Sequence, residues 1–284
     1  MSSSRRPRAA HLRSTSSGVH LLASRRVAER LVRDAGLGPD DLVIDFGAGS
    51  GAITAPLAGT GSRVLAVERD EAFVRALRRR FADRPRVRVV HDDLRRVRLP
   101  GRDFAVVASI PFAVSTALLR RLLTPVPSRL ARADVVVEWG LARRLTAARP
   151  RDLELAWWAA RFDLRLVRRI PASCFTPAPA VDAAHLSIRR STLDGRTQAV
   201  LWALLGAVYR RPTAPARHVL GDLVAHRLAH RLLRTHGTDP ATPAGEVRVG
   251  HWAAVAAALA GDRAVTPPPL PRALGSAHGR VRDR

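Results

Sequence analysis

The chain has 284 residues, with 48 Lys plus Arg against 24 Asp plus Glu, a formal net charge of +24. Every one of those basic residues is arginine, whose guanidinium fork grips phosphate and stacks on bases; codon bias explains arginine in place of lysine but not the positive surplus, so a polyanionic partner, most simply nucleic acid, is expected ahead of a membrane surface. One cysteine, Cys174, excludes a disulfide framework or a cysteine-rich zinc site and reads as a small buried apolar residue in a reducing compartment.

Residues 1–17 are rich in Ser and Arg, lack the apolar core of a signal peptide, and read as a disordered basic arm. No apolar run reaches the length of a membrane span, so no membrane partner is expected, and the single cysteine suits a cytoplasmic location. Next come a helix over 25–34, a strand over 42–46, a strand over 64–67 and a helix over 71–81. A strand over 87–90, a strand over 104–108, a helix over 115–123 and a strand over 135–138 complete the alternation. That alternation predicts an α/β fold, a mostly parallel sheet with helices on both faces. Runs at 164–167 and 185–188, separated by the Pro-rich stretch 171–179, suit an antiparallel edge. From residue 197 to 260 apolar residues recur at helical spacing, interrupted by Pro212 and Pro215, and predict a small helical domain. The expected domains are 18–192, Rossmann-like; 193–262, helical and RNA-binding; and 263–284, a disordered Pro- and Arg-rich tail.

Two places carry chemistry. The run Asp45, Phe46, Gly47, Ala48, Gly49, Ser50, Gly51 follows an apolar strand and precedes a helix, the turn at which Rossmann-like folds hold the nucleoside end of a cofactor. Glu68 stands at the tip of the next strand, where a carboxylate can accept hydrogen bonds from two ribose hydroxyls; a glycine turn that merely closes a strand is the plainer alternative. At the end of the fourth strand, Ser109, Ile110, Pro111 and Phe112 bring together a hydroxyl, a main-chain carbonyl, a proline-fixed turn and an aromatic ring. An exocyclic base amine is a poor nucleophile because its lone pair is delocalised into the ring. Acceptors at Ser109 and the Ile110 carbonyl would hold its hydrogens, with Phe112 stacked on the base; the plainer alternative packs Phe112 in the core.

These segments resemble, in order, the ribosomal RNA adenine N6-methyltransferases of the erythromycin-resistance (Erm) and dimethyladenosine transferase type. DFGAGSG is similar to the family's cofactor loop, VERD supplies Glu68, and HDDL at 91–94 resembles the segment whose acid meets the cofactor's adenine. EWGLARRL at 138–145 and IPASCFTPAPAV at 170–181 resemble later family signatures, the former closest to the Erm branch. The resemblance covers about residues 16–260. It implies a Rossmann-like S-adenosylmethionine-dependent methyltransferase domain with a small C-terminal helical domain, and methyl transfer to N6 of an adenine in 23S ribosomal RNA at the macrolide, lincosamide and streptogramin B site, hence resistance to those drugs. By the same resemblance Ser109, Ile110, Pro111 and Phe112 are catalytic, and His20, Leu22, Gly47, Gly49, Glu68, Asp93 and Ser109 bind S-adenosylmethionine. No metal is expected, because the sulfonium carries the reactive methyl. The implied partner is 23S ribosomal RNA before full subunit assembly, met by a monomer.

Arg143 and Arg144 lie in the Erm-like segment and are candidates for RNA phosphate, as are Arg210, Arg211 and Arg217 around Pro212; a solvated helix face is the plainer reading of each. Two departures stand out. Ser109 replaces the asparagine that usually opens the family's tetrapeptide, exchanging a fixed amide carbonyl for one rotating hydroxyl, so monomethylation is expected to predominate. The family's Gln-Asn-Phe is present only as Val19, His20 and Leu21, with His20 at the asparagine position. Three other functions stay open: a housekeeping 16S rRNA adenine dimethyltransferase, a small-molecule methyltransferase, and a catalytically silent RNA-binding assembly factor.

Overall fold

A two-residue strand, β1 (Leu21–Leu22), leads into helix α1 (Arg25–Ala35). The Ser24 side chain caps α1 by accepting the Val27 N–H, and Gly36, left-handed at φ 59°, closes it with its own N–H on the Arg33 carbonyl. Ala28, Leu31, Val32 and Ala35 recur at helical spacing and form the face it buries. Then follow β2 (Leu42–Phe46), α2 (Thr54–Leu57), β3 (Arg63–Glu68), α3 (Glu71–Arg80), β4 (Val87–His91), β5 (Phe104–Ser109), α4 (Phe112–Leu123) and β6 (Leu130–Glu138). After them come α5 (Trp139–Leu145), α6 (Leu153–Arg161), β7 (Phe162–Ile170), β8 (Phe175–Thr176) and β9 (Ala183–Arg190), and last α7 (Gly195–Arg210), α8 (Ala216–Gly221), α9 (His226–Thr235), α10 (Val249–Gly261) and α11 (Arg272–Gly275). The structure, a computed structural model, describes residues 20–262 and 265–275. The basic arm expected over 1–17 lies outside the described residues, as do 276–284 of the expected tail.

The main sheet has seven strands in the order β4-β3-β2-β5-β6-β9-β7. The first five are parallel, as the alternation of strands and helices predicts, and β9 inserts antiparallel between β6 and β7. The order reverses at β2, so the C-terminal ends of β2 and β5 open side by side on one edge, where ligands of such sheets bind. All five residues of β2 are buried, the mark of a strand covered on both faces. A separate two-stranded ladder pairs β1 with β8, Leu21 opposite Thr176 and Leu22 opposite Phe175. This ladder ties the start of the described chain to the Pro-rich stretch before β9.

The helical region does not stand apart from the sheet domain. One apolar cluster runs from Val106 and Leu118 through Trp157 to Leu204 and Trp252. At the seam the Trp157 and Trp202 rings meet edge-on at 5.2 Å, and the Tyr209 hydroxyl donates to the Pro150 carbonyl at 2.7 Å. Helix α6, which sequence reading left unassigned, provides that seam: Trp157 and Trp158 are fully buried, and Arg161 is 6% exposed beneath Trp157 with its guanidinium on the carbonyls of Leu123 and Pro125.

Residues 265–275, within the span read as a tail, make several contacts with the rest of the chain. Arg196 donates to the Asp262 and Val265 carbonyls, the Val126 N–H donates to the Leu274 carbonyl, and Leu274 is buried. The prolines that suggested disorder restrict the unfolded chain, so a single buried leucine offsets a smaller entropy loss. Among the described residues no helix is long and apolar enough to cross a membrane.

Candidate active site

The glycine loop leaves β2 with three left-handed turns, at Gly47, Gly49 and Gly51. Two of them bring other elements close. A Cβ on Gly49 would stand 2.9 Å from Leu21 Cδ2, and one on Gly47 would stand 3.3 Å from Pro111 Cδ. With no side chain there, β1 and the β5–α4 turn both press against the loop's main chain. The loop is held from below by the Val67 carbonyl, which accepts the Gly47 and Ala48 N–H groups at 2.8 and 3.1 Å.

Glu68, at the tip of β3, is buried and its carboxylate is fixed by three main-chain donors. Gly49 N–H donates to Oε2, and Arg69 and Asp70 N–H donate to Oε1, each at 2.8 Å. A carboxylate offers about four lone-pair positions, so roughly one is left for a ligand hydroxyl.

Between loop, β1 and the β5–α4 turn lies a narrow cleft, lined by Asp45, Gly47, Ser109 and Pro111 among others. Among the residues singled out from sequence, His20, Leu22, Gly47, Ser109 and Pro111 line it together. Gly49, Glu68, Asp93, Ile110 and Phe112 do not. Ile110 is 1% exposed, its N–H donating to the Val136 carbonyl, so its side chain belongs to the core and only its main chain faces the strand tip. Asp93, just beyond β4, is gripped by Arg95, whose Nη2 donates to Oδ2 at 2.6 Å and Nε to Oδ1 at 3.0 Å. That hydrogen bond, more than burial opposes it, holds the Asp93 carboxyl down at about 2.

Two participants were given no role of their own by the sequence reading. Asp45 lines the cleft and is 1% exposed, with the Thr54 hydroxyl donating to its Oδ2 at 2.7 Å. Burial pushes its pKa up to about 7; the Thr54 hydrogen bond works against this and the Glu68 charge adds to it. An acid placed two residues before the first loop glycine was the available signal. The second is Phe175 of β8, quoted above only within a matching segment. Phe112, the first residue of α4, lies between His20, ring centroids 6.0 Å apart, and Phe175, 6.3 Å away and edge-on. The His20 Nδ1 in turn meets the Pro177 carbonyl at 2.9 Å. Cys174 is half-buried against the same apolar cluster, and its carbonyl accepts the Ala23 and Ser24 N–H groups.

The candidate RNA arginines divide. Arg143 and Arg144 are exposed at the end of α5, the helix that leaves the C-terminal end of β6, on the same edge of the sheet as the cleft. Arg210 is exposed at the end of α7. Arg211 is paired with Asp222, and Arg217 is partly buried with its Nη1 3.5 Å from the Pro240 carbonyl.

A family model for "Ribosomal RNA adenine dimethylase" matches residues 10–260. The rRNA adenine N-6-methyltransferase of Bacillus licheniformis is 30% identical over 242 residues, 84% of each chain. The mycinamicin-resistance protein MyrB of Micromonospora griseorubida is 32% identical over 241 residues, 84% of this chain and 76% of that one. Among solved structures, the 23S rRNA methyltransferase ErmE shares the fold with a TM-score of 0.73 at 23% identity, over 84% of this chain and 98% of that one. With sheet, cleft and helical region all inside the matched span, this chain belongs to the ribosomal RNA adenine dimethylase family.

Proposed function

We propose that the protein methylates N6 of an adenine in 23S ribosomal RNA with S-adenosylmethionine as donor, and thereby confers resistance to macrolide, lincosamide and streptogramin B antibiotics. The observation that carries this reading is the convergence of the bare Gly47 main chain, the Ser109–Pro111 turn and His20 on one cleft at the switch point of the sheet. The resistance named for the Micromonospora relative supports the drug-site target.

The residues present fit such a donor. Gly47 and Gly49 leave main chain accessible where a Cβ would crowd Pro111 or Leu21, Glu68 is a pre-oriented acceptor, and Asp45 places a buried carboxyl in the cleft wall. Gly47, Gly49, His20 and Leu22 would hold the donor through main chain and shape, Glu68 its ribose, and Asp93 its adenine amine by sharing acceptor capacity with Arg95. When bound, S-adenosylmethionine supplies an electrophilic methyl on its sulfonium. Ser109 Oγ and the Ile110 carbonyl accept the two hydrogens of the target amine, which turns the nitrogen lone pair out of the ring plane toward the cleft. Methyl transfer would leave the nitrogen cationic, and its proton would pass to water, with Ser109 Oγ accepting a hydrogen bond and not the proton itself. Phe112 supplies the stacking face that keeps the extruded base in place, worth about 1–3 kcal/mol.

The net charge of +24 suits a ribosomal RNA substrate, and Arg143, Arg144 and Arg210 are placed to meet its phosphates. In this reading a monomer in the cytoplasm acts on RNA before the large subunit is fully assembled. The test supplies labelled S-adenosylmethionine with protein-free 23S RNA, 16S RNA and assembled subunits, and maps the labelled nucleotide by primer extension. Label on one 23S adenine supports the proposal; label confined to 16S RNA, or RNA binding without label, overturns it.

A further inference from the structure

Helix α9 carries His226, Arg227, His230, Arg231 and Arg234 and no acidic residue. Arg227, Arg231 and Arg234 fall at i, i+4 and i+7, one stripe along a helix, and all three are exposed. Over seven residues that stripe rises about 10 Å. Ala229 and Leu233 bury the helix's other side. The histidines widen the basic face: the His226 ring lies 6.1 Å from that of His230 and 6.5 Å from that of His218 on α8.

On α9 the three arginines form one stripe with no compensating acid. One exposed arginine on each of α1 and α3 has an acid one turn away, Arg25 with Glu29 and Arg75 with Glu71. At the α7–α8 junction Arg211 has Asp222. Among the described residues, Arg227, Arg231 and Arg234 make neither a hydrogen bond nor an ion pair. Like charges spaced i, i+4 weaken a helix, and Arg227 in the first turn faces the positive end of its dipole. An anion from outside relieves both costs. Ala229 and Leu233 of α9 are buried and Leu228 and Leu232 half-buried, so the exposed surface is dominated by charge more than by the apolar wedge with which amphipathic helices enter lipid.

The geometry points to α9 as a docking surface for RNA phosphates, separate from the methyl-transfer cleft. It rests on the reading of the protein as an RNA methyltransferase and names where the helical region grips that RNA. Arg217 and Arg211, the nearer candidates by sequence, are engaged with Pro240 and Asp222 and are poorer phosphate ligands.

The experiment compares wild type with the triple variant Arg227→Gln, Arg231→Gln, Arg234→Gln and with a control that removes equal charge from α3, Arg75→Gln, Arg78→Gln, Arg79→Gln. Binding of a protein-free 23S transcript is measured over a salt series, together with the Kd for S-adenosylhomocysteine and the circular dichroism of each protein. Each lost phosphate contact reduces the slope of log affinity against log salt by about 0.7–0.9, so the α9 triple is expected to lose about 2–3 in slope. The control keeps the wild-type slope, and S-adenosylhomocysteine binding is unchanged in both. Should the triple variant lose its helical signal, single Arg231→Gln still lowers the slope by about 0.7–0.9, and Arg231→Lys restores most of it. An α9 triple that binds RNA as wild type does, or a control that loses as much, overturns the assignment. So does loss of binding to phosphatidylserine vesicles with RNA binding intact. A wild type that neither binds nor labels ribosomal RNA overturns the underlying reading and this inference with it.

Discussion

Gly49 and Glu68 are 19 residues apart in the chain and meet in a 2.8 Å hydrogen bond in which the loop N–H donates to Oε2. The bond shows how the glycine loop and the next strand make one unit: Glu68 also collects the Arg69 and Asp70 N–H groups, so its position is set before any ligand arrives. Glu68→Gln replaces an acceptor oxygen by an NH₂ that must face one of these donors, and it removes the charge. Hydrogen bonds to charged groups contribute about 1.5–3 kcal/mol, so the Kd for S-adenosylhomocysteine is expected to rise about 10- to 100-fold by calorimetry. An affinity within twofold of wild type would remove Glu68 from the site.

Ser109 lines the cleft with a hydroxyl, at the position where the family resemblance implies an asparagine amide. A hydroxyl rotates, whereas the carbonyl of an asparagine is fixed by its side-chain plane. The first methylation leaves an amine with one hydrogen, whose correct rotamer must then be held by that single acceptor. Monomethyladenosine is therefore the expected main product by mass spectrometry of digested RNA, and Ser109→Asn shifts it toward dimethyladenosine. A dimethylated main product from wild type contradicts this account.

Phe112 and Phe175 meet edge-on at 6.3 Å, and each is placed by a different element: α4 begins on Phe112, while β8 pairs Phe175 with Leu22. Phe112→Ala removes the stacking face, worth about 1–3 kcal/mol per base, and is expected to lower kcat/KM for RNA about 5- to 100-fold with S-adenosylhomocysteine affinity retained. Phe175→Ala acts on the same surface through its neighbour, so the double variant loses less than the product of the single losses. Full multiplicativity would mean that the two rings serve separate steps.

How far the site was legible in the sequence follows from how local each signal is. The glycine loop, Glu68 and the Ser109–Phe112 turn are short-range patterns, and all occur at strand tips as read. Phe175 and the β1–β8 ladder depend on pairing across more than 150 residues of chain, which no local period encodes. Asp45 was passed over because its character comes from complete burial and from the Thr54 hydroxyl, both tertiary facts. Helix α6 was missed because a segment whose apolar side chains are buried nearly all round shows no amphipathic stripe; Ala156, Trp157, Trp158 and Ala160 are all buried. The arginines show the same limit, since only the folded chain distinguishes Arg211, which has Asp222, from Arg143 and Arg210, which face solvent.

Asp45 gives the site a pH dependence of defined sign. Its carboxyl is pushed up to about 7 in the folded protein from an ordinary 3.8, chiefly because burial disfavours the charged form. Between those limits the folded protein holds a proton that the unfolded chain has released, so stability falls as pH rises through this window and levels off above it. The full difference is on the order of 4 kcal/mol. Asp45→Asn keeps an acceptor for Thr54 and cannot ionise. Urea unfolding at pH 5, 6, 7 and 8 should show wild type losing stability relative to Asp45→Asn across the series, most of it between pH 5 and 7. Parallel curves for the two proteins would mean that Asp45 carries its charge throughout and that water or a neighbouring donor reaches it in the cleft wall.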